Sequence, residues 1–237
     1  QNERLIQLLL MADNAKDMGA KSVIAVVPYL AYARQDRRFL PGEAFSLKTV
    51  VRLLQCCGVD ELITVNVHNP TVLRSLQIPF RDLSAIGVLA QHLMNKGLQG
   101  AFSISLGKKG LEMAREAHNI LRGGYGYIQT RRDRVTGEVS IEEKPLPIHG
   151  RDVIIFDDII SSGGTMAKAV RWAKDQGARR VYAACVHPLL APGAMERILE
   201  SGAEGVVGTD CVPSPVSRVS VAPLIAEALG ERKGRLE

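Results

Sequence analysis

The chain has 237 residues, 46% hydrophobic and 23% charged, with a formal net charge of +5. That is the balance of a globular chain long enough to bury a full core, and it excludes disorder, collagen-like repetition and low complexity. The longest apolar run, Leu8–Ala12, stops at Asp13, far short of the ~20 residues a membrane span needs.

Aromatic residues make up only 5% and are not interleaved with a basic stripe, which argues against a stacking surface for single strands. The mild basic excess suits phosphorylated small molecules as well as nucleic acid. Cys56, Cys57, Cys185 and Cys211 lack zinc-ligand spacing and read as reduced, mostly buried thiols of a cytoplasmic protein.

In chain order, Gln1-Asn2-Glu3-Arg4 carries neither methionine nor targeting signal and runs at once into a helical pattern (Leu5, Leu8, Leu9, Ala12, Ala15, Met18). A domain that starts inside a core-facing helix is expected to lack its first strands. The apolar runs at 22–27, 62–65, 153–156 and 181–186 suit parallel strands buried on both faces.

Helical segments are expected near 46–57, 84–95, 109–118, 164–176, 192–201 and 222–230, with Gly58, Gly97, Gly177 and Gly202 where helices end. Tyr127 to Glu143 reads as a β-hairpin turning at Thr136-Gly137. The alternation predicts an α/β fold of two tandem doubly wound domains with mainly parallel sheets, 1–80 (the incomplete one) and 81–237, facing each other across a cleft. Such sheets bind ligands beyond the carboxyl ends of their strands.

The most informative stretch is Val153-Ile154-Ile155-Phe156-Asp157-Asp158-Ile159-Ile160-Ser161-Ser162-Gly163-Gly164-Thr165. An apolar strand ends in two acids, a loop of hydroxyl residues and glycines follows, and a helix begins. Glycines let several N–H groups converge on one spot, and a helix N-terminus adds positive potential, which suits a phosphate. Ser161, Ser162 and Thr165 add hydroxyl donors. Asp157 and Asp158 repel phosphate but suit vicinal sugar hydroxyls or a magnesium-bound water. Phosphate at one end and hydroxyls at the other describe ribose 5-phosphate; the plainer reading is a capped helix after a strand that happens to end in acids.

Asp157 to Thr165 resembles the 5-phosphoribosyl-diphosphate loop of type I phosphoribosyltransferases and ribose-phosphate diphosphokinases. Pro28-Tyr29-Leu30-Ala31-Tyr32-Ala33-Arg34-Gln35-Asp36-Arg37 resembles the diphosphokinase signature, which the transferases lack. Arg34, Arg37 and Arg38 suit a polyphosphate, and Gln35 an adenine edge. The other reading of this cluster is a solvated charged loop.

Met11–Lys16, Val67-His68-Asn69, Val186–Leu190, Thr209–Pro213 and Ser220–Leu224 extend the similarity over nearly the whole chain, closest to archaeal-type members. The resemblance implies ribose-phosphate diphosphokinase activity with Mg²⁺, ATP and ribose 5-phosphate. It places Arg34, Gln35, Asp36, Arg37 and His68 on ATP, with His68 also near the metal. It places Asp157, Asp158, Ser161, Ser162, Gly163, Gly164 and Thr165 on ribose 5-phosphate. It implies a homo-oligomer with shared ATP sites, and no nucleic-acid or membrane partner.

Three positions depart from the family pattern. Thr130 stands at the catalytic hairpin's lysine, with Arg132 at its arginine and Arg131 and Arg134 nearby as substitutes; no aspartate precedes Gly107; and Asn66 replaces the aspartate before His68. These departures leave open a catalytically weak or silent homologue that binds nucleotide and regulates or assembles with an active partner. A phosphoribosyltransferase and a nucleic-acid regulator are the remaining alternatives. His187, after a strand, lines the sugar pocket or simply packs.

Overall fold

The computed structural model describes residues 1–38, 40–132, 139–141 and 145–233, and its contacts divide into two units, Gln1–Ser84 and Ala85–Glu237.

The first unit holds α1 (Asn2–Asp17), β1 (Ile24–Val26), α2 (Ser46–Cys56), β2 (Glu61–Val65), α3 (Pro70–Ser75) and β3 (Phe80–Leu83). Its three strands lie parallel in the order β1-β2-β3. Leu9 and Ala12 of α1 join Leu47, Val51 and Leu54 of α2 in the core with Leu62 of β2. Met18, expected on the core face of α1, is 80% exposed.

The expected boundary after Phe80 would cut β3. Phe80, Arg81, Asp82 and Leu83 pair with Leu62, Ile63, Thr64 and Val65 of β2, so the division falls after Ser84. The strand escapes a hydrophobic-run criterion because its two central residues are charged. Their charges are met laterally: Arg81 Nε donates to Glu61 Oε1 at 2.8 Å, and Asp82 Oδ1 accepts from Thr64 Oγ1 at 3.0 Å.

The second unit runs α4 (Ile86–Leu93), β4 (Phe102–Leu106), α5 (Leu111–Leu121), β5 (Tyr125–Ile128), β6 (Thr130–Arg132), β7 (Val139–Ile141), β8 (Asp152–Ile160), α6 (Gly164–Asp175), β9 (Arg180–Pro188), α7 (Ala194–Glu200), β10 (Gly205–Thr209), β11 (Ser217–Val219) and α8 (Ala222–Lys233). Six strands form one sheet in the order β11-β10-β9-β8-β4-β5, every pair parallel. β6 and β7 form a separate antiparallel pair, Thr130 opposite Ile141. The expected turn at Thr136-Gly137 lies outside the described residues.

The central strand β8 reads Val153, Ile154, Ile155 and Phe156 in succession, all with no exposure, as a strand covered on both faces requires. α4 and α5 pack together, while α6 and α7 pack together. Gly58, Gly97, Gly177 and Gly202 all take positive φ where their helices stop, in agreement with the sequence.

β5, β10 and β11 were not expected as strands, and β8 extends to Ile160, beyond its apolar run. All four cysteines are free, and against expectation Cys185 alone is fully buried while Cys56 is exposed. Burial pushes the Cys185 thiol far above its ordinary value and that of Cys211 up to about 11, which makes neither a ready nucleophile. Among the described residues no helix is long and apolar enough to cross a membrane.

Candidate functional site

The strand order of the second sheet locates a crevice. From β4 the chain proceeds outward to β5; from β8 it proceeds the other way to β9 and on to β10. Adjacent strands whose connections depart in opposite directions leave a gap beyond their carboxyl ends, the place where open α/β sheets bind ligands. β4 and β8 are paired only as far as Ser105 opposite Phe156. Past that point β8 keeps β9 alone as its neighbour, through Ile160 opposite Pro188. Asp157 and Asp158 occupy this half-released stretch, both partly exposed.

The two acids therefore lie within the strand rather than at its end. Asp157 Oδ1 accepts the Asp158 N–H at 3.0 Å, and Asp158 Oδ1 accepts the Ile159 N–H at 2.9 Å. Each carboxylate is thereby oriented by the strand, and a carboxylate is an acceptor of the kind that hydroxyls and cation-bound waters require.

The joint from β8 to α6 is shaped by what its carbonyls do. The Ile160 carbonyl accepts from Leu190 N–H and that of Ser161 from Ala191 N–H, both at 3.0 Å. The Ser162 carbonyl accepts from the Arg197 guanidinium, and that of Gly163 from Ala167 N–H at 2.8 Å. Four successive carbonyls are thus occupied, the first three by the segment leading into and along α7.

Gly163 takes φ +76°, and a Cβ there would lie 2.8 Å from the Ala194 carbonyl oxygen, so only glycine permits this close approach. No side chain caps α6. Its first-turn N–H groups, at Gly164, Thr165 and Met166, have no acceptor within the helix, the kind of helix start that suits an anion. Ser161, Ser162 and Gly163 therefore form a short joint, held by its backbone carbonyls, between the strand that carries Asp157 and Asp158 and the helix that starts at Gly164 and Thr165.

On the β4 side the chain turns at Gly107 (φ +80°), whose N–H donates to the Ile128 carbonyl at 2.8 Å. A Cβ on Gly107 would lie 3.8 Å from Thr130 Oγ1. The two departures on this side are thus spatial neighbours. Arg131 and Arg132 follow on β6, where the backbone alone is described; Arg134 lies outside the described residues.

In the first unit, Arg34, Arg37 and His68 are exposed, but Asp36 is only 9% exposed. Asn69 Nδ2 donates to Asp36 Oδ2 at 2.6 Å, which joins the loop after β1 to the segment after β2. Gln35 donates its Nε2–H to the Ala44 carbonyl at 3.1 Å, leaving one amide N–H and the amide oxygen for other partners.

Asn66 sits at φ +41°, a left-handed conformation asparagine tolerates better than most residues. Next to it, Val67 N–H donates to Asp82 Oδ1 at 2.9 Å. Burial pushes the Asp82 carboxyl up, against the lowering effect of these hydrogen bonds. Sequence reasoning passed over Asn69, Asp82 and Arg197; Asn69 adjoins His68, but the other two carry no local signal. His187 is 1% exposed at the end of β9, a packed position rather than an open lining.

Among the described residues no three His, Cys, Asp or Glu side chains gather into a metal-binding group. An adjacent pair of carboxylates nevertheless fits magnesium, which keeps several waters and takes one or two carboxylates together with substrate phosphates.

Comparison with known proteins agrees with both halves. The N-terminal domain of ribose phosphate pyrophosphokinase matches residues 1–58, and the phosphoribosyl transferase domain matches residues 83–210. Ribose-phosphate pyrophosphokinase of Methanopyrus kandleri is 42% identical over 237 residues, covering 99% of this chain and 80% of the relative. That of Methanothermobacter thermautotrophicus is 40% identical over 230 residues, covering 97% and 79%. The crystal structure of phosphoribosylpyrophosphate synthetase from Mycobacterium smegmatis superposes with a TM-score of 0.84 at 26% identity, covering 99% of this chain and 79% of that one. With two domain matches in order and relatives at this identity over nearly its full length, the chain belongs to the ribose-phosphate pyrophosphokinase family of transferases.

Proposed function

We propose that the chain transfers the β,γ-diphosphoryl group of Mg-ATP to the anomeric hydroxyl of ribose 5-phosphate. The anomeric oxygen attacks the β-phosphorus, the bond to the α-phosphate oxygen breaks, and 5-phosphoribosyl 1-diphosphate and AMP leave. The observation that supports the reading is the β8–α6 joint, where a helix start without a side-chain cap follows two carboxylates braced by the backbone, a pairing that suits a phosphate and neighbouring hydroxyls.

Ser161, Ser162, Gly163, Gly164 and Thr165 hold the 5-phosphate, and Asp157 and Asp158 take the ribose hydroxyls, directly or through magnesium. Arg34 and Arg37 hold the polyphosphate, Gln35 meets the adenine, and His68 sits by the phosphates and their metal. When bound, magnesium neutralises phosphate charge and draws electrons from the phosphorus under attack. Arg132, with Arg131 and Arg134, offsets the charge that develops in transfer. Such catalysis is positioning and electrostatics, so a small displacement of these charges lowers the rate steeply.

A second reading, a homologue that binds both ligands but turns over slowly or not at all, is favoured by one observation. Gly107 and Thr130 face each other at the mouth of the crevice, and neither carries a charge. One assay separates the two: AMP release from ATP strictly dependent on ribose 5-phosphate. Release by the parent chain, little changed by Thr130→Lys, supports the enzyme; release only after Thr130→Lys supports the silent homologue. AMP release without ribose 5-phosphate contradicts both.

A further inference from the structure

We propose that Asp36 is a positioning residue: its buried carboxylate, held by Asn69, fastens the Arg34–Arg37 loop to the segment after β2 that carries His68. The proposal rests on the nucleotide reading above and gives Asp36 a task other than touching the nucleotide.

Charge motivates it. A carboxylate repels a polyphosphate, so an aspartate within a run of arginines is useful to an anion site only if its charge is turned away and compensated. Asp36 meets that condition: it is 9% exposed between the exposed Arg34 and Arg37, and Asn69 Nδ2 donates to its Oδ2 at 2.6 Å. A hydrogen bond to an ionised acceptor is among the stronger kinds.

Topology adds to it. Gln35 and Arg38 tie the loop to its own continuation: Leu47 N–H donates to the Gln35 carbonyl at 3.2 Å, Gln35 Nε2 to the Ala44 carbonyl, and Arg38 Nε to the Glu43 carbonyl at 2.9 Å. The Asp36–Asn69 bond instead reaches across 33 residues to the segment after β2. His68 is thereby pinned on both sides, through Val67 N–H on Asp82 and through the Asn69 amide on Asp36. The bond thus sets the spacing between exposed arginines on one segment and an exposed histidine on another, which is the spacing a phosphate chain would have to span.

The test uses the full chain with Asn69→Asp, which sets two carboxylates against each other, and the exchange Asp36→Asn with Asn69→Asp, which restores one donor and one acceptor with their places reversed. Three quantities are read: hydrogen exchange at the Gln35–Arg37 amides without ligand, ATP affinity, and ribose 5-phosphate affinity. Asn69→Asp is expected to speed the exchange and weaken ATP about tenfold, the cost of losing one charge-assisted hydrogen bond. The exchanged pair returns both to near the parent values, and ribose 5-phosphate affinity does not move.

If Asn69→Asp fails to fold, recovery of a folded, ATP-binding protein by the exchange supports the proposal. Unchanged amide exchange in Asn69→Asp, or an exchanged pair no better than the single variant, overturns it. A parent chain that binds no ATP, with amide exchange still responding to Asn69→Asp, overturns the nucleotide reading and with it the positioning role, while leaving the fastening itself in place.

Discussion

The two halves of β8 treat their aspartates in opposite ways. At the start, Asp152 is 6% exposed and receives two guanidiniums: Arg179 donates to its two oxygens at 2.9 and 2.6 Å, and Arg180 at 3.1 and 2.7 Å. Hydrogen bonds from Arg180 and then Arg179 hold its carboxyl well below the usual carboxylate range. In the second half Asp157 and Asp158 stay partly exposed and accept backbone N–H groups of the next residues in the chain. One acid fastens the strand to its neighbour; the other two are braced by the backbone at the edge of a crevice. The residue type is the same, and its partners decide whether it clamps two strands together or stays partly exposed.

Changes at each end sharpen that contrast. The largest effect is expected from Gly163→Ala, which combines a left-handed backbone with a Cβ 2.8 Å from the Ala194 carbonyl oxygen. Relieving that contact means reshaping the joint, so ribose 5-phosphate affinity falls about a hundredfold while stability drops by roughly 1–3 kcal/mol. A titration with the sugar phosphate and a denaturant melt read the two separately.

Next comes Asp152→Asn, which should cost stability and spare binding. The two guanidiniums are 64% and 38% exposed and return readily to water, so the loss is about 2 kcal/mol rather than that of a fully buried pair. Because the folded pKa is depressed, this contribution is present above the unfolded value, about 4, and is lost as pH falls toward the folded one. The parent therefore unfolds in acid more steeply than Asp152→Asn, as urea midpoints between pH 2 and 6 would show.

Asp82 supplies the opposite sign and the smallest effect. Its carboxyl is raised by burial, so the native state holds a proton the unfolded chain releases, and stability declines as pH climbs from about 4 through the raised value. Asp82→Asn keeps an oxygen for Val67 and Thr64 and removes that decline, changing stability by less than about 1 kcal/mol at neutral pH. A steeper decline in the variant than in the parent would contradict the assignment.

The contrast also explains what was legible from sequence. The course of the β8–α6 joint was readable because every part of it lies within Asp157–Thr165 and the turn rests on glycines whose backbone behaviour is local. Its brace was not readable: Leu190, Ala191 and Arg197 arrive from another loop and helix. The clamp on Asp152 joins residues 27 and 28 positions apart, and the Asp36–Asn69 bond spans 33, so neither leaves a pattern in any short window.

β8 was expected to end in its two acids, yet β9 continues to pair with it and carries the strand to Ile160. β3 was hidden because Arg81 and Asp82 find their partners on β2. Each error has one physical source, a tertiary partner that overrides local preference.

The account depends most on the claim that this joint grips a phosphorylated sugar, and calorimetric titration of the full chain with ribose 5-phosphate and, separately, ATP tests it directly. The parent should bind the sugar phosphate, and Asp158→Ala should weaken it about tenfold while ATP affinity stays nearly unchanged. Equal loss of both ligands, or undiminished sugar phosphate binding in the variant, would contradict the account.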